Sequence, residues 1–298
     1  MFKDFSQLRD CLRDDSPKTL AVAAAHDPHT LEAVYAAAKQ LPLRYRLFGD
    51  RERILTISGQ LGVTPADSDI VECGDDVQSA RAAVALIRDG AADILFKGLL
   101  ETAVLLRAVL DRQTGIRGAS TLSHLSVLEV PGYHKLIAVT DAGMLPHPTL
   151  EQKAELLRSA LSFYSRLGST RPKVAVLCAS ETVSDSMPET GDAAQLKVLS
   201  EQGELGDCLL EGPISFDLAI SREAASIKGY SSEVSGDADI LLVPDITTGN
   251  ALCKALIYWA GARMAGCVLG ARVPIVLVSR GASAQEKLLS VQLCLCGS

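Results

Sequence analysis

Four short stretches of this 298-residue chain place polar groups and a glycine directly after an apolar run. They are Phe96-Lys97-Gly98, Thr140-Asp141-Ala142-Gly143, Pro244-Asp245-Ile246-Thr247-Thr248-Gly249-Asn250 and Ser279-Arg280-Gly281-Ala282-Ser283. Apolar runs of this kind read as strands, and the ligands of open α/β sheets gather at the carboxyl ends of strands. Gly98, Gly143, Gly249 and Gly281 permit close backbone approach to a ligand. Lys97 and Arg280 carry the charge an anionic substrate needs, and an arginine can grip phosphate through two parallel hydrogen bonds. Each stretch alone also fits a plain turn, with Asp141, Thr248 or Ser283 as a helix N-cap. Four together point to a ligand cleft. Other chemistries lack their patterns: there is no GxxxxGK, no GxGxxG after the first strand, no HExxH and no GxSxG. His26, His29, His124, His134 and His147 show no metal-ligand spacing beyond the weak His26/His29 pair.

The elements that must position these stretches alternate. Thr19–Ala25, Arg44–Gly49, Asp69–Cys73 and Ala92–Lys97 read as strands. Pro28–Gln40, Arg51–Leu61, Asp76–Asp89 and Glu101–Arg112 read as the helices that follow them. Repeated βα order implies a parallel, doubly wound sheet with right-handed crossovers. Leu122–Val130 and Leu136–Thr140, joined by Pro131-Gly132, read as an antiparallel pair added to it. A long helix over Thr149–Leu167 follows, then strands at Lys173–Ala179, Cys208–Leu210 and Asp239–Val243 with helices between them. The pattern ends with a helix over Thr248–Ala262, a strand over Val273–Ser279 and a helix over Ser283–Leu293. Length predicts about two domains, and the Pro146-His147-Pro148 loop suggests a boundary near 145.

Composition narrows the class. Hydrophobic residues make up 48% and aromatics only 4%, so the core is aliphatic, as suits Val/Ile strands covered by Ala/Leu helices. A formal charge of −7 argues against a nucleic-acid partner, which calls for a basic face. It leaves a phosphorylated substrate open, because a few local cations suffice. No apolar run approaches the length of a membrane span and no leader-like segment precedes the early charges, so the expected compartment is the cytoplasm. None of the eight cysteines forms a CxxC pair. Cys294 and Cys296 form a terminal CxC that reads as a frayed element end or, less well, as two metal ligands short of a site.

The run Leu241–Leu256, with Pro244, Asp245, Gly249, Asn250 and Lys254, resembles the P-[DN]-x-x-x-G-N-x-x-x-K signature of phosphate acetyl/butyryltransferases. Val276–Arg280 with Ala284–Leu288 resembles their C-terminal Ser-Arg motif. Lys97-Gly98-Leu99, Leu122-Ser123-His124, Thr140–Gly143, and Gly212-Pro213 with Phe216-Asp217 are similar to further blocks of the family, collinear from about Leu20 to Leu289. The KGL, LSH and TDAG forms point to the butyryl branch. The resemblance implies a two-domain α/β subunit related to isocitrate and isopropylmalate dehydrogenases. Residues 1–145 with 270–298 would form the first domain and 146–269 an inserted second one, with the substrate cleft between them. It implies a homodimer and small-molecule substrates: acyl-CoA, phosphate and acyl phosphate. It implies no membrane partner, no tightly bound cofactor and no metal, with coenzyme A as a substrate.

In the implied reaction an acyl group passes directly between coenzyme A and phosphate in a ternary complex, with no covalent enzyme intermediate. Ser279 matches the serine that donates to the developing oxyanion, and Arg280 the arginine that holds phosphate. Glu286, seven positions after Ser279, stands where acetyltransferases carry an aspartate base; a helix-surface role fits it equally. Arg107 loosely matches a second phosphate-binding arginine and also fits a solvated helix face. His124 fits the cleft or a structural role. Lys97, Gly98, Thr140, Asp141, Gly143, Asp245, Gly249, Asn250 and Lys254 complete the expected phosphate and CoA site. Two other classes share the fold. A metal- and NAD-dependent oxidative decarboxylase would recruit carboxylates such as Asp141, Asp217 and Asp245. A CoA-binding regulatory relative would keep the cleft without the chemistry.

Overall fold

The computed structural model describes residues 2–11, 17–118, 120–279 and 281–298. The chain packs as two compact units. A terminal unit comprises Leu8–Ala119 and Ala265–Ser298, and a central unit comprises Met1–Gln7 and Ser120–Met264. The terminal unit opens with β1 (Lys18–Ala23), α1 (Pro28–Gln40), β2 (Leu43–Gly49), α2 (Arg51–Gln60), β3 (Ile70–Glu72), α3 (Asp76–Arg88), β4 (Ile94–Lys97) and α4 (Thr102–Leu110). The central unit follows with β5 (Ser123–Glu129), β6 (Ile137–Thr140), α5 (Leu150–Arg166), β7 (Lys173–Leu177), α6 (Pro188–Glu201) and β8 (Leu209–Ile214). It continues with α7 (Phe216–Ile220), α8 (Arg222–Ile227), β9 (Ile240–Leu242) and α9 (Ile246–Tyr258). The chain then returns through β10 (Arg263–Leu269), β11 (Ile275–Val276) and α10 (Ala284–Cys296).

In the terminal unit the strand order is β3-β2-β1-β4-β11-β10. All neighbours are parallel except β10, which runs antiparallel to β11. The order runs outward from β1 to β3 and then resumes at β4 on the other side of β1. That reversal makes the carboxyl ends of β1 and β4 the topological switch point, where open α/β sheets bind ligands. Aspartates start the helices on this edge. Asp27, Asp50 and Asp75 cap α1, α2 and α3, each accepting the backbone N–H three residues on. Pro28 takes the first position of α1, where its missing N–H costs nothing. The strands are buried on both faces, with Leu20–Ala25 and Ile94–Phe96 fully covered. Each such large aliphatic side chain contributes about 1.5–3 kcal/mol relative to exposure.

In the central unit the order is β5-β6-β9-β7-β8. β5 and β6 pair antiparallel, and the remaining neighbours are parallel. The core between this sheet and its helices gathers Leu128, Val139, Leu177, Ile214, Leu241 and Cys253. Residues near the start of the chain join this unit through Glu129, whose carboxylate accepts from the Phe5 N–H at 2.9 Å and pairs with Arg263 at 2.5 Å.

Four elements differ from the sequence pattern, among them β8, which runs on to Ile214 where the pattern stops at Leu210. The helix expected to reach Ala262 ends at Tyr258; Gly261 turns at φ +70°, and Arg263–Leu269 is a strand. Only Ile275 and Val276 of the expected Val273–Ser279 strand are paired, with Val268 and Cys267 of β10 on one side and Leu95 and Phe96 of β4 on the other. Cys294 and Cys296 are not at a frayed end: both are buried in α10, whose residues from Lys287 to Cys296 are all covered. Trp259, just past α9, is the reverse case, 90% exposed beside the exposed Tyr258.

Candidate active site

The terminal unit places its candidate residues at the switch point. β4 ends at Lys97, and the chain bends at once over the end of β1: Gly98 N donates to Ala23 O and Leu99 N to Ala24 O, both at 2.8 Å. Only glycine fits this crossing. A Cβ on Gly98 would sit on the Ala24 carbonyl oxygen and 2.7 Å from that of Ala23. Ala24 itself lies in the left-handed region at φ +50°, a conformation that costs a non-glycine residue about 1–3 kcal/mol and that clusters at ligand sites. The Lys97 side chain is buried and curls onto its own turn, with Nζ donating to Leu100 O at 2.9 Å and Gly98 O at 3.3 Å. Its charge therefore sits among backbone carbonyls at the strand end. Arg107 lies on the exposed face of α4.

Ser279 stands exposed beyond β11, the strand that pairs with β4. Its carbonyl accepts Ala282 N at 3.0 Å and its Oγ accepts Gly281 N at 3.4 Å, so the segment is a tight turn feeding α10. Arg280 lies outside the described residues. Ser283 is the N-cap of α10, and Glu286 closes a reciprocal capping box with it. Glu286 N donates to Ser283 Oγ at 3.2 Å; Ser283 N and Oγ donate to Glu286 Oε2 at 2.8 and 3.1 Å. Glu286 is thus held in the first turn of the helix rather than left as a loose surface side chain.

In the central unit the candidate residues close around one carboxylate. Asp141 is 2% exposed, and its oxygens accept four backbone N–H groups: His124 at 3.1 Å, Gly143 at 2.9 Å, Met144 at 3.1 Å and Leu145 at 2.8 Å. It is not a helix N-cap. It ties the loop after β6 to the neighbouring strand β5. Four backbone N–H groups converging on one buried carboxylate fix the course of this loop. Gly143 lets the His124 ring lie against the loop, since a Cβ there would be 3.2 Å from the ring. The ring is buried, with Nδ1 3.1 Å from Ser126 Oγ. At the same edge the Thr140 and Ser123 hydroxyls are buried without a hydrogen-bond partner among the described residues. Such groups cost about 1–3 kcal/mol unless a ligand or other partner engages them.

Gly249 brings α9 onto this loop. A Cβ at that position would stand 2.9 Å from Ala142 Cα and 3.0 Å from Asp141 O. Asp245, not Thr248, is the N-cap of α9, accepting Thr248 N at 2.9 Å and Thr248 Oγ1 at 3.1 Å. Burial pushes the Asp245 carboxyl up, but the Thr248 hydrogen bonds outweigh it and hold the group below its usual range. Asn250 and Lys254, one turn apart, share an exposed face of α9. The structure therefore brings together Thr140, Asp141, Gly143, His124 and Gly249 in one unit, and Lys97, Gly98, Ser279 and Glu286 at neighbouring strand ends of the other. Sequence reasoning passed over Ser126 and the Ala23 and Ala24 carbonyls, which carry no side-chain signal of a site. Among the described residues no group of three or more His, Cys, Asp or Glu side chains is arranged to hold a metal. Of the three carboxylates a metal site would recruit, Asp217 pairs with Lys228 at 2.9 Å, and Asp141 and Asp245 are engaged as above.

Comparison with known proteins locates this arrangement. Residues 75–294 match the model of the phosphate acetyl/butaryl transferase family. A probable phosphate butyryltransferase of Bacillus subtilis is 41% identical over 281 residues, covering 94% of this chain and 93% of that protein. A phosphate butyryltransferase of Clostridium acetobutylicum is 36% identical over 293 residues, covering 98% and 97%. A branched-chain phosphotransacylase from Enterococcus faecalis superposes with a TM-score of 0.83 at 32% identity, over 94% of this chain and 98% of that one. In fold alone the chain also resembles a 4-hydroxythreonine-4-phosphate dehydrogenase from Klebsiella pneumoniae, with a TM-score of 0.57 at 12% identity over 95% of this chain and all of that one.

Proposed function

This chain belongs to the phosphate acetyl/butaryl transferase family and is a phosphate acyltransferase, moving acyl groups between coenzyme A and phosphate, and from that premise we propose that its acyl group is short, butyryl or similar, and passes directly between the two substrates in a ternary complex. The observation that carries the short-chain reading is the central-unit loop: its Leu122-Ser123-His124 and Thr140–Gly143 blocks have the butyryl-branch form and interlock through Asp141. In the acyl-phosphate-consuming direction, Glu286 takes the proton of the coenzyme A thiol, which titrates near 8.5 when free and so gains from a base at neutral pH. The thiolate attacks the acyl carbonyl, and the Ser279 hydroxyl donates to the developing oxyanion. The bond to phosphate breaks as Arg280 holds the departing anion. Capping occupies Glu286 Oε2 and leaves Oε1 for the proton. Substrate contacts are assigned to Lys97 and Arg107 in the terminal unit and to His124, Asn250 and Lys254 in the central unit, where Asp141 and Asp245 shape the loops. The enzyme acts in the cytoplasm as a homodimer, with coenzyme A as a substrate and neither a tightly bound cofactor nor a metal.

The test is release of free thiol from acetyl-, propionyl-, butyryl- and isobutyryl-CoA with and without inorganic phosphate. Phosphate-dependent release, fastest with a four-carbon acyl group, is the expected outcome. Fastest turnover of acetyl-CoA would overturn the chain-length reading, and restoration of a chelator-inhibited rate by magnesium would overturn the metal-free one.

A further inference from the structure

One residue past the proposed base lies a buried lysine. Lys287 is 4% exposed, and its Nζ donates to Asp27 Oδ2 at 2.5 Å and to Thr30 Oγ1 at 2.9 Å. The same Asp27 oxygen accepts the Thr30 N–H at 2.9 Å and the Thr30 hydroxyl at 2.5 Å, as the N-cap of α1. The pair joins the first turns of two helices 260 residues apart in sequence. Burial pushes the Asp27 carboxyl up, but Lys287 and Thr30 outweigh it and hold the group below its usual range.

Packing alone does not call for this pair. α1 packs against α10, and both bury aliphatic residues such as Leu31, Val34, Leu288 and Val291. An apolar side chain at 287 would spare the cost of desolvating an ammonium, and such replacements are often neutral or stabilising. What a buried pair supplies instead is registry, because it is satisfied at one placement of its two helices. Registry matters at this point of the molecule. α1 leaves the end of β1, over which Gly98 folds, and the first turn of α10 carries Glu286 and follows directly on the Ser279 turn. A displacement of about 1 Å in reacting groups can cost on the order of 100-fold in rate.

We infer that Asp27 and Lys287 are a positioning pair for acyl transfer, holding Ser279 and Glu286 at one place relative to the carboxyl ends of β1 and β4. The inference rests on the reading that Ser279 and Glu286 act on substrate. Its test is the set Lys287→Met, Asp27→Asn and the double variant, with Ser279→Ala and Glu286→Gln measured alongside for phosphate-dependent thiol release. Lys287→Met alone strands a buried carboxylate and lowers Tm. The double variant removes both charges, and asparagine keeps the α1 cap, so its Tm returns toward wild type. Its kcat should nevertheless stay down by about 10- to 100-fold with KM for acyl-CoA little changed. Recovery of kcat together with Tm would overturn the inference and make the pair a stability device only. Should Lys287→Met not fold, Asp27→Asn and the double variant carry the same comparison. Wild-type kcat in Ser279→Ala and Glu286→Gln would instead remove the reading beneath it; damage there with an unimpaired double variant removes the positioning pair alone.

Discussion

The loop after β6 and the turn before α10 both end strands at candidate substrate positions, and they are built in opposite ways. The first is organised from inside: a buried carboxylate collects four backbone N–H groups, and two glycines let His124 and α9 close on it. The second is organised from its edge: Ser279 is exposed, and Glu286 is held by a cap whose partners touch solvent. A buried hydrogen-bonded anion fixes backbone, whereas a cap orients one side chain and leaves it accessible. The contrast fits a shaping role for Asp141 beside the chemistry proposed for Ser279 and Glu286.

Replacing Asp141 should therefore produce the largest effect on the fold. A buried group left unsatisfied costs about 1–3 kcal/mol, so Asp141→Ala, which strands the N–H of the buried His124 and frees three half-buried ones, should lose about 1–3 kcal/mol in urea unfolding and lower turnover with it. A variant of wild-type stability would show that the loop holds without its anion and would erase the contrast.

Glu286→Gln should be the inverse: glutamine still closes a capping box, so Tm should stay near wild type while kcat in the acyl-CoA-forming direction falls by about 10²- to 10⁴-fold. The deficit should shrink as pH rises toward the thiol's own pKa, since solvent then supplies the thiolate. An unchanged kcat and pH profile would reduce Glu286 to a cap.

Ser283→Ala should give the smallest effect, about 0.5–2 kcal/mol of stability from loss of the N-cap. It sharpens the comparison, because it frees Glu286 without removing it. A kcat loss of only a few-fold is expected, read beside the Tm change; a loss as large as that of Glu286→Gln would mean that orientation by Ser283, rather than the carboxylate itself, limits the reaction.

Much of the terminal unit was legible because its signals are local. Asp27-Pro28, Asp50 and Asp75 announce helix starts that the structure places within a residue or so of the pattern, and strands such as Leu20–Ala23 are continuous aliphatic runs. β10 was not legible: Met264-Ala265-Gly266 lacks both alternation and β-branched side chains, and β10 owes its strand state to its place in the sheet between β11 and β5. At the candidate site the strand-end glycines were readable as punctuation, yet the reason Gly98 must be glycine is the Ala24 carbonyl, which sequence cannot bring near. Ser283 was readable as a cap. The bond between Asp27 and Lys287 was not, because nothing local records a contact made across 260 residues.

The exposed indole of Trp259 has a consequence for spectroscopy. It is the chain's one tryptophan, so intrinsic indole emission reports a water-facing point at the end of α9 and hardly senses the aliphatic core. Unfolding changes that indole's surroundings little, and an external quencher reaches it in the native protein. Denaturation followed by fluorescence alone will therefore understate the cooperativity of this chain, whereas far-ultraviolet circular dichroism, which sees helices in both units, will record it.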